Sequence, residues 1–110
     1  MKAEFKKKWI KALRSGKYRR AQGQLRKGRG FCCLGVLCHI NGIDFNPCDG
    51  SLPTEFRKRV GLSMKDHDVL INLNDGEYNL ETKEAPLPKG YREDKGSSFK
   101  QLAEWISRHV

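Results

Sequence analysis

Phe31-Cys32-Cys33-Leu34-Gly35-Val36-Leu37-Cys38-His39-Ile40 is the most apolar run of the chain. Its length suits a short buried helix or a long buried strand, and periodicity alone does not separate the two. Leu and Cys dominate and β-branched residues are few, which favours helix. Wound as a helix, Cys32, Cys33, Val36, Leu37 and Ile40 share one side. Leu34 and Cys38 carry the apolar surface further round, and Gly35 and His39 are i,i+4 neighbours on the narrow face that remains. A glycine inside a helix costs about 1 kcal/mol against alanine. Close approach of another backbone is the natural compensation. Asn41-Gly42 supplies the stop.

Outward from this run, the spacing predicts further short helices. Residues 3–14 place Phe5, Trp9, Ala12 and Leu13 on one face, with Ile10 at its edge, and Lys7, Lys8, Lys11 and Arg14 opposite. Ser15-Gly16 then ends the helix. Pro53 at a first helical position opens Thr54–Val60, which Gly61 closes. Ser63 with Asp66 resembles a capping box ahead of Val69, Leu70 and Leu73, in a helix ending near Asn74-Asp75-Gly76. Ser98 with Gln101 caps a last helix whose apolar face is Phe99, Leu102, Ala103, Ile106 and Val110, with Trp105 on the flank. Tyr18 to Leu25 reads as extended or loop, pinned by Leu25, and Gly28-Arg29-Gly30 as a turn.

Residues 77–96 read as a long loop or hairpin, with Tyr78 to Thr82 extended and Tyr78, Leu80, Leu87 and Tyr91 as anchors. Asn74 and Asp75 are expected to fold onto local backbone amides. The expected architecture is α+β or mostly α: one small domain over residues 1–110, with three to five short helices around the Cys-rich element and room for a small β-hairpin. Trp9, Leu13, Leu34, Leu37, Phe99, Leu102 and Ile106 are its expected core.

Charge is the sharpest compositional signal. Residues 1–30 carry twelve Lys or Arg and one acid, +11, whereas residues 31–110 carry −2, within a chain of net charge +9. One end of the molecule is therefore drawn to polyanions. Arg14, Lys17, Tyr18, Arg19, Arg20, Arg26, Lys27 and Arg29 form the candidate binding segment. Arginine forks suit phosphate or carboxylate, and a tyrosine can stack on a base. No run reaches the ~18 apolar residues of a bilayer span, and the N-terminal apolar positions are too interrupted for a signal-peptide core. No membrane partner and a cytoplasmic location are the expectations.

The four cysteines, Cys32, Cys33, Cys38 and Cys48, are expected to be reduced, with three of them buried. Cys33, Cys38, His39 and Cys48 are the weak candidates for a tetrahedral zinc. They lack a CxxC pair, and the adjacent Cys38 and His39 diverge on a helix. A cysteine nucleophile would need His39 or His67 beside an exposed thiol; Cys32, near a helix start, is the candidate. Asp66, Asp68, Asp75 and Glu77 lack the ligand spacing of a calcium loop. No phosphate loop, dinucleotide fingerprint or serine-hydrolase elbow occurs. No cofactor and no catalytic residue is assigned.

Three blocks taken together resemble a widespread group of small bacteriophage and prophage proteins. They are Trp9 with Ala12-Leu13-Arg14-Ser15-Gly16-Lys17-Tyr18; Phe31 to Cys38; and Leu73-Asn74-Asp75 with Ser98-Phe99, Leu102-Ala103 and Ile106. The chain departs from the group in separating Asn74-Asp75 from Ser98-Phe99 by more than twenty residues, where the group keeps them close. The resemblance implies a phage gene product acting inside a bacterium, and it brings no activity. The leading functional expectation is a small non-catalytic effector whose basic N-terminal region binds an acidic host protein. The alternatives are a nucleic-acid binder using residues 14–29 and a small Cys- or metal-dependent enzyme.

Overall fold

The computed structural model describes residues 1–76 and 95–110. The element order is α1 (Ala3–Arg14), β1 (Arg19–Arg20), β2 (Arg26–Lys27), β3 (Gly30–Phe31), α2 (Cys33–Ile40), α3 (Thr54–Val60), α4 (Met64–Asp75) and α5 (Phe99–His109). The fold is thus α+β, with five helices and one small mixed sheet among the described residues.

The apolar run is a helix. Cys32 is its N-cap, accepting a hydrogen bond on Sγ from the Gly35 N–H at 3.4 Å. Cys33, Leu34, Val36, Leu37 and Cys38 are all fully buried. Gly35 is there because another backbone passes over it: a β-carbon at this position would stand 1.9 Å from the Leu25 carbonyl oxygen. That carbonyl accepts the Cys32 N–H at 3.0 Å, while the Leu25 N–H donates to the Asp49 carbonyl at 2.7 Å. Leu25 itself has no exposed surface, so it pins the basic segment to the core as its lone leucine suggested.

Around α2 the amphipathic helices close as their periodicity requires. Trp9 and Leu13 of α1 are buried, and the Trp9 indole Nε1–H donates to the Cys33 carbonyl at 2.8 Å. Phe99, Leu102, Ala103, Trp105 and Ile106 of α5 join them in one core cluster, which brings Trp105 from the flank into the interior. The Lys2 N–H donates to the Val60 carbonyl at 2.8 Å, tying the start of α1 to the end of α3, and Phe5 meets Phe56 edge-on. Ser98 and Gln101 make a complete capping box on α5. Ser63 Oγ accepts the Asp66 N–H at 3.1 Å on α4. The helix α3 spans Thr54–Val60 as expected, with Pro53 as its N-cap rather than its first helical residue, since Pro φ fits either position.

The sheet lies within residues 19–31. Strand β3 is central, parallel to β1 (Arg19 opposite Gly30, Arg20 opposite Phe31) and antiparallel to β2 (Arg26 opposite Phe31, Lys27 opposite Gly30). Gly28 and Arg29 are the two loop residues of the β2–β3 hairpin, and Gly28 takes the positive φ, +59°, that such a loop demands. The long loop or hairpin expected at 77–96 lies, but for Lys95 and Gly96, outside the described residues, as do its extended piece Tyr78 to Thr82 and the anchors Tyr78, Leu80, Leu87 and Tyr91. No helix among the described residues is long and apolar enough to cross a membrane.

Candidate functional site: a basic aromatic surface

The basic segment divides into cations that hold the fold and cations that face solvent. Arg14 pairs with Glu104 of α5 at 3.1 Å, both side chains about half exposed. Lys6 donates to the Val110 carbonyl at 3.3 Å. Arg20 is the most committed. Its Nη1 donates to the Asn74 carbonyl at the end of α4 at 2.6 Å, and its Nη2 to the Lys95 carbonyl. Arg20 is therefore a structural clamp, although the sequence placed it among the binding residues. Lys17, Arg19, Lys27 and Arg29 are exposed and have no ion pair among the described residues.

Arg26 has a third kind of setting. Its guanidinium lies over the Phe31 ring, 5.2 Å from the centroid, and its Nε–H donates to the Gly28 carbonyl at 3.2 Å. The two residues are cross-strand partners in the hairpin, so the strand register sets the cation–π contact. Phe31 in turn meets Tyr18 edge-on at 5.5 Å and His39 at 5.2 Å. The Tyr18 hydroxyl and His39 Nδ1 share a hydrogen bond at 3.0 Å. A chain of contacts thus runs from Arg26 through Phe31 to Tyr18 and His39.

Two shallow depressions lie on either side of the Tyr18–His39 bond. One, of about 280 Å3, has Lys8, Lys11, Lys17, Ala12, Tyr18 and Ile40 in its lining. The other, of about 380 Å3, includes Arg26, His39, Ile43, Asp44 and Phe45. Asp44 dilutes the positive charge of the second, so the cationic character is concentrated in the first. Lys8, Lys11 and Ile40 belong to this surface and were absent from the sequence-derived site. The signal that could have found them is the exposed lysine stripe of α1, which the helical period displays.

The cysteines and the histidines have distinct settings. Cys33 and Cys38 are buried, while Cys48 and His39 are exposed. No group of three His, Cys, Asp or Glu side chains suited to a metal assembles among the described residues. Burial pushes the Cys32 thiol from 9.0 up to about 11 and Cys38 to about 12, and it raises Cys33 as well. Backbone N–H groups at the start of α2 pull Cys32 the other way, and burial outweighs them. His67 is buried, with Nε2 accepting the Leu52 N–H at 3.1 Å and Nδ1 on the Asp68 carboxylate at 2.9 Å. An acceptor Nε2 requires a neutral ring that carries its proton on Nδ1, so neither nitrogen is left to activate a thiol.

Asn74 and Asp75 also depart from expectation. The fully buried Asn74 reaches across the fold: its Oδ1 accepts the Cys33 N–H at 3.1 Å and its Nδ2 donates to the Ala21 carbonyl at 2.9 Å. Asp75 Oδ1 accepts the Gly23 N–H at 3.0 Å. These are long-range ties that fasten the basic loop to α2 and α4, beside a local hydrogen bond from Asn74 Nδ2 to Asp75 Oδ1 at 2.9 Å.

A family model described as a domain of unknown function, DUF8296, matches residues 1–48. The matched segment contains α1, the sheet, α2 and the residues named at both depressions. No curated protein and no solved structure matches the chain.

Proposed function

We propose that the protein is a small non-catalytic effector that docks on an acidic protein surface through the basic face of α1, Tyr18 and the 26–31 hairpin. The observation that carries this reading is the Tyr18–His39 hydrogen bond, which joins two depressions flanked by Lys8, Lys11 and Lys17 on one side and Arg26 on the other. Exposed cations that form no ion pair among the described residues accelerate encounter with a surface of opposite sign and select it over others. The resemblance of the sequence blocks to phage proteins supports a bacterial host protein as the partner.

The test is capture from nuclease-treated bacterial lysate, followed by association kinetics with the partner identified. The variant replaces Lys8, Lys11, Lys17 and Arg26 with glutamine and leaves Arg20 intact, because Arg20 holds the fold. The expected result is association slowed about tenfold or more at low salt, with dissociation little changed. Capture abolished by nuclease would replace this reading with a nucleic-acid one. Equal capture by the variant, at equal salt resistance, would remove the basic face from the function.

A further inference from the structure

Resting on the acidic-partner reading above, we infer that the depression between α1 and the end of α2 receives one apolar side chain of the partner, carried in a segment whose flanking carboxylates engage Lys8, Lys11 and Lys17. The lining combines two chemistries. Ala12, Tyr18 and Ile40 form an apolar floor, and the three lysines supply charged heads on apolar stems. At about 280 Å3 the space is below the ~300–1,000 Å3 of small-molecule sites and suits a side chain better than a cofactor.

Among the described residues, the fold leaves this charge without an ion pair. Lys6 and Arg14 of the same helix are tied to the Val110 carbonyl and to Glu104. Among the described residues, Lys8, Lys11 and Lys17 have no ion pair and no carboxylate belongs to the lining. The floor then separates protein from nucleic acid. A phosphate backbone brings no aliphatic group to bury, and a base needs a ring face on which to stack. Tyr18 is the one ring among the described residues of the lining. It is half-buried and already engaged by Phe31 at 5.5 Å and His39 at 5.6 Å.

The probes are a fluorescein-labelled peptide with one leucine flanked on both sides by glutamates, the same peptide with serine in place of leucine, and a short oligothymidylate. Anisotropy gives affinity, and amide shifts in a 15N-labelled sample give location. The leucine peptide is expected to bind about tenfold more tightly than the serine peptide, moving the amides of Lys8, Lys11, Ala12, Lys17 and Ile40. Ala12→Gln fills the floor without changing charge or helix propensity much, and it should erase that tenfold difference while the circular dichroism stays native. Replacing Lys8, Lys11 and Lys17 with glutamine, all at exposed positions, should weaken both peptides. Equal binding of the two peptides, unchanged by Ala12→Gln but weakened by the lysine variant, would overturn the pocket and leave the acidic-partner reading standing. Preference for the oligothymidylate over both peptides would overturn the two together. Failure of both peptides to bind at millimolar concentration would overturn the pocket, and the lysate capture would then judge the broader reading by itself.

Discussion

The carbonyl oxygen of Leu25 occupies the space beside Gly35 where any larger residue would carry its β-carbon, 1.9 Å from the ideal position. On helix propensity alone Gly35→Ala would stabilise by about 1 kcal/mol. Here the opposite sign is expected, because the obstructing atom is backbone held at both ends, by the Cys32 N–H and the Asp49 carbonyl. Gly35→Ala should destabilise by about 3 kcal/mol or more. Urea denaturation checks this, and an unchanged midpoint would mean that Leu25 does not cross α2 so closely.

Asn74→Ala removes the partners of the Cys33 N–H and the Ala21 carbonyl at once. Each buried group left unpaired costs about 1–3 kcal/mol, so a loss of about 2–5 kcal/mol is expected. Asn74→Asp keeps an acceptor for Cys33 but loses the amide donor and faces the Asp75 carboxylate. Its stability should not exceed that of the alanine variant. Amide exchange at Cys33 gives the local reading, with faster exchange in Asn74→Ala.

The neighbours Arg19 and Arg20 should separate cleanly. Arg20→Gln loses two charge-assisted hydrogen bonds to the Asn74 and Lys95 carbonyls. Discounted for a half-exposed setting, this is worth about 1–2 kcal/mol. Arg19→Gln should stay within about 0.5 kcal/mol of the parent. Equal thermal shifts for the two would contradict the clamp.

The chain leaves α4 and returns to α5 through a narrow neck. The Ser97 N–H donates to the Leu73 carbonyl at 2.8 Å, and Arg20 bridges Asn74 and Lys95. Replacing residues 77–94 with a short Gly-Ser linker should therefore leave a protein that still unfolds cooperatively. A molten or unfolded product would show that the neck does not form without them.

Thiol chemistry should be equally selective. In the native protein Cys48, the exposed cysteine, should react promptly with a disulfide reagent, and Cys32, Cys33 and Cys38 only on unfolding. The raised thiols also set a pH dependence. The unfolded chain ionises near 9.0 while folded Cys32 holds its proton to about 11. Above pH 9 the unfolded state therefore binds fewer protons, and stability falls with rising pH. That contribution is fully present below pH 9 and lost between 9 and about 11. Cys32→Ser keeps a capping oxygen and should flatten this part of the stability profile relative to the parent. An unchanged slope would place the Cys32 thiol in water.

Much of the fold was legible because its signals are local. The 3.6-residue spacing of Trp9 and Leu13, and of Phe99, Leu102 and Ile106, says which face is buried without reference to any neighbour. The Ser98–Gln101 box and the left-handed Gly61 and Gly76 mark ends for the same reason. Strands of two residues carry no period to read, so the sheet at 19–31 was visible only as an extended stretch and a turn. The candidate site was half legible. Lys17, Tyr18 and Arg26 were named along the chain and Lys8 and Lys11 showed only as a lysine stripe on α1, whereas Ile40 and the pairing of Tyr18 with His39 had no signal, since only folding brings α1, the sheet and α2 together.

By itself the sequence determined that a cysteine-rich apolar element would be buried, that amphipathic helices would cover it, and that positive charge would gather in the first thirty residues. Tertiary structure decided which of those charges remain available. Arg20 and Arg14 look no different from Arg19 along the chain. Their roles separate only when folding brings carbonyls 54 and 75 positions away to Arg20, and a carboxylate 90 positions away to Arg14. Periodicity and caps are encoded in neighbours along the chain, but the partner of a charged group is set by what the closed core places beside it.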